Sequence, residues 1–325
     1  MSITILKPGI MSSVQDLGRW GYQQYGVPVG GAMDKISAAI ANIICSNDEN
    51  EGVIELTLHG ASVLINEDSF CAFAGGGCKV FADEQELPFN RLLYIPAFTV
   101  LQTKPSASGC RAYLAVAGGF NVEKQMGSAS TYVASGIGGM NGKNLKTGDI
   151  LSFKKINPFF DLNTLKSISG NLRVSHWQVP DLIGLNEKRS DIHVAAGPEY
   201  DRFDEASRNT FFASTFTIGL QSNRMGYRLE GEKILMKEKH EMVSTPVTSG
   251  IVQVTHEGNP IILMADAQTT GGYPRIARVC SADIAWLAQM RPGMKIRFKE
   301  IKEEESDKRN SKVIEALKKI KFCLV

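Results

Sequence analysis

Short apolar segments alternate with glycine and asparagine along most of the chain. They include ASVLI (61–65), SFCAFAG (69–75), RLLYIPAFTVLQ (91–102), RAYLAVAGG (111–119) and DILSF (149–153). Runs of this length that are bounded by turn residues are typical of β-strands. The first ten residues, MSITILKPGI, have the same pattern. The sequence therefore predicts a mainly β protein.

Helical spacing of apolar residues recurs in only three segments. It predicts a helix over residues 33–45, a second helix that begins at the candidate N-cap Ser281 and stops before RPG at 291–293, and a short amphipathic helix at the C-terminal end. The apolar positions that carry this spacing are Met33, Ile36, Ile40 and Ile43, then Ile284 and Leu287, then Val313, Leu317, Ile320 and Leu324.

The apolar pattern is weakest between residues 154 and 189, and it restarts with DIHVAAGP at 191. At about 150 residues per domain, a chain of 325 residues is expected to form two domains. We expect a first domain at 1–165, a connecting segment at 166–190 and a second domain at 191–300. The charged run at 299–312 predicts a solvated linker, so residues 301–325 would comprise that linker and the tail helix.

Composition is that of a soluble globular protein, with 43% hydrophobic and 22% charged residues. A net charge of +2 gives no broad field that would attract nucleic acid or a membrane surface. No apolar run approaches the roughly 18 residues that span a bilayer. The start of the sequence lacks a basic region and a small-residue cleavage site, so we expect no signal peptide.

The six cysteines do not form a Cys-x-x-Cys pair, and the chain has only five histidines. This spacing does not fit a zinc site, so no metal is expected. Cys71, Cys110 and Cys280 lie in or beside apolar runs, which predicts small buried side chains. A reduced, cytoplasmic protein is the simplest interpretation.

Several familiar catalytic and binding motifs fail. GIGGMNGKN (136–144) lacks the first glycine and the final hydroxyl of a phosphate loop, and Asn141-Gly142 favours a hairpin turn instead. The chain contains neither G-x-S-x-G nor H-E-x-x-H. The three glycines at 75–77 would permit either close approach to a ligand or a bulge.

Three histidines lie in strand-like stretches. They are His59, His193 and His256. We interpret all three as structural residues.

The segment richest in polar chemistry is ADAQTTGGYPRIA (265–277), which directly follows the apolar run at 261–264. A surface turn needs only one or two residues such as glycine or aspartate. This loop carries an acid, an amide, two hydroxyls and a phenol around a glycine pair. Because loops held by rigid strands often carry function, it is the strongest candidate for a site.

Two further polar clusters have simpler alternatives. In SSVQDLGRWG (12–21), Gln15, Asp16 and Arg19 lie close together, and the alternative is a surface turn with a weak Asp–Arg pair. In GLQSNRMGYRLEG (219–231), Arg224 precedes a short predicted strand. Arginine suits a bidentate grip on a carboxylate or phosphate, and the alternative is a solvent-facing turn residue.

These clusters lie within motifs that resemble one known family. SVQDLGRWGYQQYGVPVGGAMD, YLAVAGGF, MGSASTY, QSNRMGYRLEG, SGIVQVTHEGNPIILMADAQTTGGYPRIARV and LAQMRPGMKIRF occur in the family's order. They resemble the second half of the biotin-dependent carboxyltransferase module of urea carboxylase, also called allophanate hydrolase subunit 2. The resemblance covers nearly all of residues 3–298 and implies two tandem cyclophilin-like β-barrel domains with a few short helices.

The resemblance also implies which residues form the site, with no metal. The substrate-binding residues would be Gln15, Asp16, Arg19, Met33, Asp34, Ser128, Thr131, Gln268, Gly271, Gly272 and Tyr273, and the catalytic residues would be Arg224, Asp266, Thr269 and Thr270. Two positions depart from the family pattern. Asn223 stands where the family usually has aspartate, and Ala129 stands where it usually has arginine.

Free-standing members of the family, of the KipA type, imply a role as the C subunit of an ATP-dependent 5-oxoprolinase. Such a complex converts 5-oxoproline to glutamate with ATP hydrolysis, and ATP would be bound on this chain or elsewhere in the complex. The implied partners in a hetero-oligomer are the A subunit of 5-oxoprolinase and a KipI-like B subunit, and the second of these would share the ligand cleft. The sequence contains no biotin-attachment motif, so no covalent biotin is expected on this chain.

Two alternatives stay open from the sequence. The first is a carboxyltransferase half-module of a urea carboxylase-like, biotin-dependent enzyme. The second is a non-catalytic regulator that binds an inhibitor of a histidine kinase.

Overall fold

The computed structural model describes residues 1–154, 165–185, 187, 189–238 and 242–324. These residues form two compact units that are interleaved along the chain. Unit 1 comprises Met1–Arg19, Asp34–Leu185 and Glu315–Val325, and unit 2 comprises Trp20–Met33 and Asn186–Ile314. Strands dominate both units, so the predicted mainly β fold is confirmed.

Unit 1 is built from strands in two sheets. One sheet has the order β11-β1-β4-β9-β6-β7 and the other has the order β12-β13-β8-β5-β10-β3-β2. The strands are β1 (Ser2–Pro8), β2 (Met11–Gln15), β3 (Val53–Thr57), β4 (Ala61–Ile65), β5 (Ser69–Gly75), β6 (Cys78–Ala82), β7 (Gln85–Leu87), β8 (Leu93–Ile95), β9 (Val100–Pro105), β10 (Arg111–Val116), β11 (Ile150–Ser152), β12 (Leu165–Ser169) and β13 (Leu172–Ser175).

The apolar segments of the sequence become the central strands of these sheets. ASVLI is β4 and SFCAFAG is β5, with the predicted limits. Alternate residues of each strand enter one shared core, which includes Ile5, Ile54 and Leu114. Period-two alternation of this kind fixes which face of a strand is buried. The segment predicted to connect the two domains contains β12 and β13, which its weak apolar pattern did not indicate. These strands extend the second sheet beside β8.

The first predicted helix is α1 (Lys35–Ile44), which packs on β5 and β10 of unit 1. It begins two residues later than the spacing suggests, because Asp34 is its N-cap. The Asp34 carboxylate accepts a hydrogen bond from the Ser37 backbone N–H at 2.9 Å. A capping carboxylate satisfies an otherwise unpaired N–H of the first turn.

Unit 2 contains a closed barrel of order β14-β21-β18-β19-β16-β15-β22. Closure pairs β22 with β14 in parallel, so the barrel sheet has no open edge. A separate two-stranded ribbon joins β17 to β20. The strands are β14 (Asp191–Ala196), β15 (Phe216–Ile218), β16 (Gly226–Glu230), β17 (Thr245–Pro246), β18 (Ile251–Val254), β19 (Pro260–Leu263), β20 (Thr270–Gly271), β21 (Arg275–Val279) and β22 (Lys295–Glu300).

Three further helices lie in the rest of the described chain: α2 (Glu205–Ala213), α3 (Ser281–Ala288) and α4 (Glu303–Leu324). The second predicted helix is α3, although its N-cap is Cys280 rather than Ser281. The solvated linker expected over 299–312 is wrong for residues 303–312, which form the first turns of α4. Three glutamates at 303–305 favour a helix there because negative charge stabilises a helix N-terminus.

The limits of the domains expected from the sequence stay a prediction. Residues 155–164, 186 and 188 of the expected boundary region lie outside the described residues, as do 239–241 of the expected second domain. Among the helices that the structure describes, none is long and apolar enough to cross a membrane. Cys71, Cys110 and Cys280 are buried, as their positions in apolar runs predict.

Phe211 of α2 is an anchor of unit 2, since its ring is fully buried and stacks on Phe298 of β22 with 4.3 Å between ring centroids. We predict that Phe211→Ala lowers the free energy of unfolding by about 3–5 kcal/mol because it removes apolar contacts and leaves a cavity. Phe322→Ala is the matched control, because Phe322 is 89% exposed. Urea unfolding followed by circular dichroism measures both changes, and equal stability of the two variants would contradict this packing.

Candidate functional site

The predicted site residues divide between the two units. Gln15, Asp16, Arg19, Asp34, Ser128 and Thr131 lie in unit 1, whereas Met33, Arg224 and the loop from Asp266 to Tyr273 lie in unit 2. Each group is assembled by contacts within its own unit. That both groups serve one ligand stays a prediction.

In unit 1, the Asp16 carboxylate is the centre of a buried hydrogen-bond cluster. It accepts from the Gly18 N–H at 2.8 Å and from the Ala129 N–H at 2.7 Å. The hydroxyls of Ser128 and Ser130 donate to the same carboxylate at 2.7 and 2.5 Å. Asp16 is 1% exposed, so these four donors replace the water that a surface carboxylate would bind.

Arg19 is fully buried and binds the loop that contains Ser128 and Ser130 of the same cluster. Its Nε donates to the Gln125 carbonyl at 3.0 Å and its Nη2 donates to the Ser130 carbonyl at 2.8 Å. Together with the low exposure of Asp16, this burial excludes the alternative of a surface turn with a weak Asp–Arg pair. Arginine suits such a position because its planar donors have fixed directions.

The glycines of GIGGMNGKN pack against this loop. A Cβ at Gly138 would lie 2.0 Å from the Ser130 carbonyl oxygen, and one at Gly139 would lie 1.9 Å from the Thr131 Oγ1. The Gly139 N–H donates to the Ala129 carbonyl at 2.9 Å. These glycines therefore serve close packing of two backbone segments. Asn141 and Gly142 have φ of 55° and 68°, which confirms the predicted tight turn.

Gln15 and Thr131 complete the unit 1 cluster. The Gln15 Nε2 donates to the Ser13 Oγ at 2.9 Å and to the Thr131 carbonyl at 3.2 Å. The Thr131 hydroxyl donates to the Val14 carbonyl at 2.9 Å. Both side chains are about 1% exposed and bind the end of β2 to the loop. Their predicted contact with substrate stays a prediction.

A second buried network in unit 1 surrounds Asp34 and was not indicated by the sequence. The Tyr113 hydroxyl accepts from the Asp34 backbone N–H and donates to the Glu55 carboxylate, each at 2.8 Å. Burial, followed by the negative charge of Glu55, raises the pKa of Tyr113 well above its ordinary value. Tyr113 is opposite Glu55 in the sheet, a long-range register that no local pattern reveals.

In unit 2, Arg224 and Asp266 form a bidentate ion pair. The Arg224 Nε lies 2.8 Å from the Asp266 Oδ2 and its Nη2 lies 3.0 Å from the Oδ1. The same Nη2 donates to the Gly31 carbonyl at 2.6 Å. The two side chains are only 11% and 10% exposed, so the alternative of a solvent-facing turn arginine is wrong.

Backbone bonds reinforce this pair. The Asp266 N–H donates to the Arg224 carbonyl at 2.9 Å, and the Gly30 N–H donates to the Ala265 carbonyl at 3.1 Å. The start of the polar loop is therefore fixed to two other segments of unit 2. Met33 ends one of these segments and is 2% exposed, in the core.

The middle of the loop is more open than its start. Gln268 and Thr270 are exposed, and Thr269 is half-buried. Beneath the glycine pair, the buried Gln253 donates from its Nε2 to the Tyr273 carbonyl at 3.2 Å. A Cβ at Gly271 would lie 2.6 Å from that Nε2, so a larger residue at this position would displace the end of the Gln253 side chain. Gly272 and Tyr273 complete the loop.

Sequence reasoning missed an ion pair at the far end of the loop. Arg275 donates to Glu199 from its Nε at 2.7 Å and from its Nη2 at 2.6 Å. It missed His256 as well, whose ring meets Tyr273 edge to face with 5.3 Å between centroids. The second contact depends on the antiparallel register of β18 with β21, which pairs Gln253 with Arg275 and which no local sequence pattern reveals.

His193 has an acidic partner that is distant in the sequence. Its Nδ1 lies 2.8 Å from the Asp283 Oδ2 on α3, ninety residues away along the chain. Arg189 and Arg309 also pair with Asp283, and Arg309 belongs to α4. This cluster holds α4 beside the barrel, which is a structural role.

Asp16 provides a test of the unit 1 cluster. We predict that Asp16→Asn lowers the free energy of unfolding by about 1–3 kcal/mol, because the new NH2 group would face donors. Urea unfolding measures the change, with Asp83→Asn at an exposed turn as the control. An unfolding midpoint equal to that of the unmodified protein would contradict the role of Asp16.

Glu199 provides a test that depends on pH. Burial alone would raise its pKa, but hydrogen bonds from the Arg275 side chain and N–H and the guanidinium charge lower the pKa below the ordinary 4.5. The stability that ionised Glu199 contributes is therefore complete above pH 4.5 and is lost as pH falls through the lowered pKa. We predict that the difference in unfolding free energy between the unmodified protein and Glu199→Gln shrinks in that range. A difference that stays constant from neutral to strongly acidic pH would contradict it.

Comparison with known proteins agrees with the resemblance seen in the motifs. A family model described as carboxyltransferase domain, subdomain A and B, matches residues 25–300. The C subunit of 5-oxoprolinase from Escherichia coli (strain K12) is 39% identical over 304 residues, covering 94% of this chain and 93% of that protein. The C subunit of 5-oxoprolinase from Haemophilus influenzae is 34% identical, with 94% and 93% covered.

A solved structure shows the same fold. The K. lactis urea amidolyase superposes with a TM-score of 0.88 at 26% identity over 98% of this chain. This chain corresponds to 20% of that longer protein. The motifs, the two units and the family match lead to one conclusion: the chain belongs to the carboxyltransferase domain, subdomain A and B, family.

Proposed function

We propose that this chain is the C subunit of an ATP-dependent 5-oxoprolinase complex that converts 5-oxoproline to glutamate. One observation carries the proposal: the loop after β19 is held by the Arg224–Asp266 pair in a chain that is similar over nearly its whole length to proteins named as this component of 5-oxoprolinase. The first two relatives are about as long as this chain, so no other part of them accounts for their name. The partners in this proposal are the A subunit of the enzyme and a KipI-like B subunit.

Opening the lactam ring of 5-oxoproline requires activation of a stable amide. In this proposal ATP phosphorylates the amide oxygen and releases ADP, and one water adds to the activated carbon so that the ring C–N bond breaks and leaves an acyl phosphate. A second water hydrolyses the acyl phosphate, and the products are glutamate, ADP and phosphate. The chain contributes positioned polar groups rather than a lone nucleophile. Preorganised donors around a developing oxyanion are among the largest catalytic effects.

The loop and the arginine that pairs with it each have a role in the proposal. Arg224 binds the carboxylate or phosphate group of the ligand, and Asp266 with the Gly31 carbonyl fixes the plane of its guanidinium. The hydroxyls of Thr269 and Thr270 hold the oxyanion. Gly271 lets the backbone approach the ligand.

The nucleotide is proposed to bind on another component of the complex. The segment closest to a phosphate loop in sequence uses its backbone N–H groups internally. Gly138 donates to the Gln125 Oε1 at 2.8 Å and Gly142 donates to the Gly138 carbonyl at 2.6 Å. A phosphate loop would direct such groups towards the ligand.

A carboxyltransferase half-module is the second candidate, because the fold matches the K. lactis urea amidolyase with a TM-score of 0.88. A carboxylation assay with carboxybiotin as donor separates it from the first proposal. A complex that binds the KipI-like partner but turns over neither 5-oxoproline nor carboxybiotin would favour the regulatory alternative.

Co-purification with the A and B subunits, followed by measurement of ATP-dependent glutamate formation, tests the proposal. We predict that Arg224→Ala abolishes activity. We expect Arg224→Lys to lower kcat/KM at least about tenfold, because lysine keeps the charge but loses the planar fork.

Arg278→Lys is the matched control, since Arg278 lies in β21 of the same barrel and forms an exposed pair with Glu303 of α4. It should retain normal activity. Full activity of Arg224→Ala in a complex with normal composition would remove Arg224 from the site.

A further inference from the structure

We propose that Glu199 and Arg275 are positioning residues that hold the polar loop of unit 2 in its working conformation. The inference rests on the proposed function of that loop. Glu199 lies just after β14 and Arg275 begins β21, and neither belongs to the motif residues expected to contact a ligand. Their effect is exerted through the backbone on which Thr269 and Thr270 are carried.

The pair is built as a rigid fork. The Arg275 Nε and Nη2 each reach a different oxygen of Glu199, at 2.7 and 2.6 Å. The Arg275 backbone N–H also donates to Glu199, at 3.0 Å. The side chains are 15% and 9% exposed. A planar, partly buried fork of this kind allows little rotation of either side chain.

The third arm of Arg275 reaches the ribbon that supports the loop. Its Nη1 donates to the Pro246 carbonyl at 3.2 Å. Pro246 lies in β17, opposite Thr270 of β20. The next residue, Val247, donates its N–H to the Thr269 carbonyl at 2.9 Å. Glu199 is therefore linked to the backbone of Thr269 and Thr270 first through Arg275 and then through β17.

The ribbon needs this support because its ladder is very short. β17 and β20 pair only Thr245 with Gly271 and Pro246 with Thr270. Pro246 has no N–H to contribute to the ladder. An isolated pair of strands is marginally stable even when longer. The side-chain fork from the barrel adds a polar restraint to the packing of Val247 against Leu263 and Ala267.

Two forks thus bracket the loop. Arg224 and Asp266 fix its start, and Arg275 and Glu199 fix the strand that follows it. The side chains of Gln268 and Thr270 are exposed between them while their backbone is held. Ordering reactive groups before the ligand arrives lowers the entropy cost of reaching the transition state.

The test compares Glu199→Gln, Arg275→Gln and the double variant within the assembled complex. Hydrogen exchange of loop peptides covering 264–275 is measured by mass spectrometry, and kcat and KM are measured for 5-oxoproline. Asp191→Asn is the matched control. Asp191 also accepts Nε and Nη2 of an arginine, Arg297, at 3.2 and 2.9 Å in the same barrel, but that pair is exposed.

We expect each single variant to speed exchange in the loop peptides at least about threefold and to lower kcat more than it raises KM. The double variant leaves no unpaired charge, so its thermal stability should recover while loop exchange and kcat do not. If the pair had only a structural role, thermal stability, loop exchange and kcat would all recover together in the double variant. That result would overturn the proposal. Asp191→Asn should change neither loop exchange nor kcat.

Hydrogen exchange of the loop tests the positioning role of Glu199 and Arg275 independently of whether the complex turns over 5-oxoproline. If the unmodified complex never converts 5-oxoproline, the proposed function fails, while faster loop exchange in Glu199→Gln still supports the positioning role. Unchanged loop exchange in Glu199→Gln overturns the positioning role whether or not the complex is active.

Discussion

The bidentate pair between Arg224 and Asp266 is the constraint on which the candidate site of unit 2 depends. The Arg224 guanidinium donates to the Asp266 carboxylate and to the Gly31 carbonyl. These bonds orient the guanidinium and also hold the segments that carry Asp266 and Gly31. A partly buried ion pair is a weak source of net stability, because desolvation offsets much of the attraction. Its value here lies in geometry: it joins the loop after β19 to the turn before β16 and to the glycine segment at 30–31.

Unit 1 also fixes its loop with buried charged side chains, but these side chains bind neutral groups. Asp16 is held by hydroxyls and backbone N–H groups, and Arg19 by carbonyls. Buried charged groups that bind neutral dipoles give direction to a loop without requiring an opposite charge at each position. Both units thus use buried charged side chains to order loops. The exposed polar groups of the loop in unit 2 are the ones that the proposed function assigns to a ligand.

Local pattern was enough to predict the central strands, the approximate positions of α1 and α3, the C-terminal part of α4 and the turn at Asn141-Gly142. It did not predict α2, β12 or β13. The helix at 303–312 was missed because a dense charge run resembles a solvated linker unless its acidic start is weighed against the helix dipole. Family motifs indicated Arg224 and Asp266. They did not indicate that these two residues bind each other, since they lie 42 residues apart.

The partners that the sequence could not supply all depend on contacts between elements that are distant in the sequence. Glu55 meets Tyr113 across β3 and β10, and His193 meets Asp283 through the packing of α3. Glu199 and Arg275 are likewise joined by the pairing of β14 with β21 rather than by spacing. A sequence shows which residues carry reactive or charged groups. Which of these groups contact each other, when they are distant in the sequence, becomes known only from the fold.

The most direct test of the account is a double-mutant cycle between Arg224→Lys and Asp266→Asn, with kcat/KM of the assembled complex as the measured quantity. If the two side chains act as one unit, the double variant loses no more activity than the worse single variant, and the coupling exceeds about 1.4 kcal/mol, a tenfold departure from additivity. Losses that simply multiply would show that the two residues act independently, and the account would be wrong.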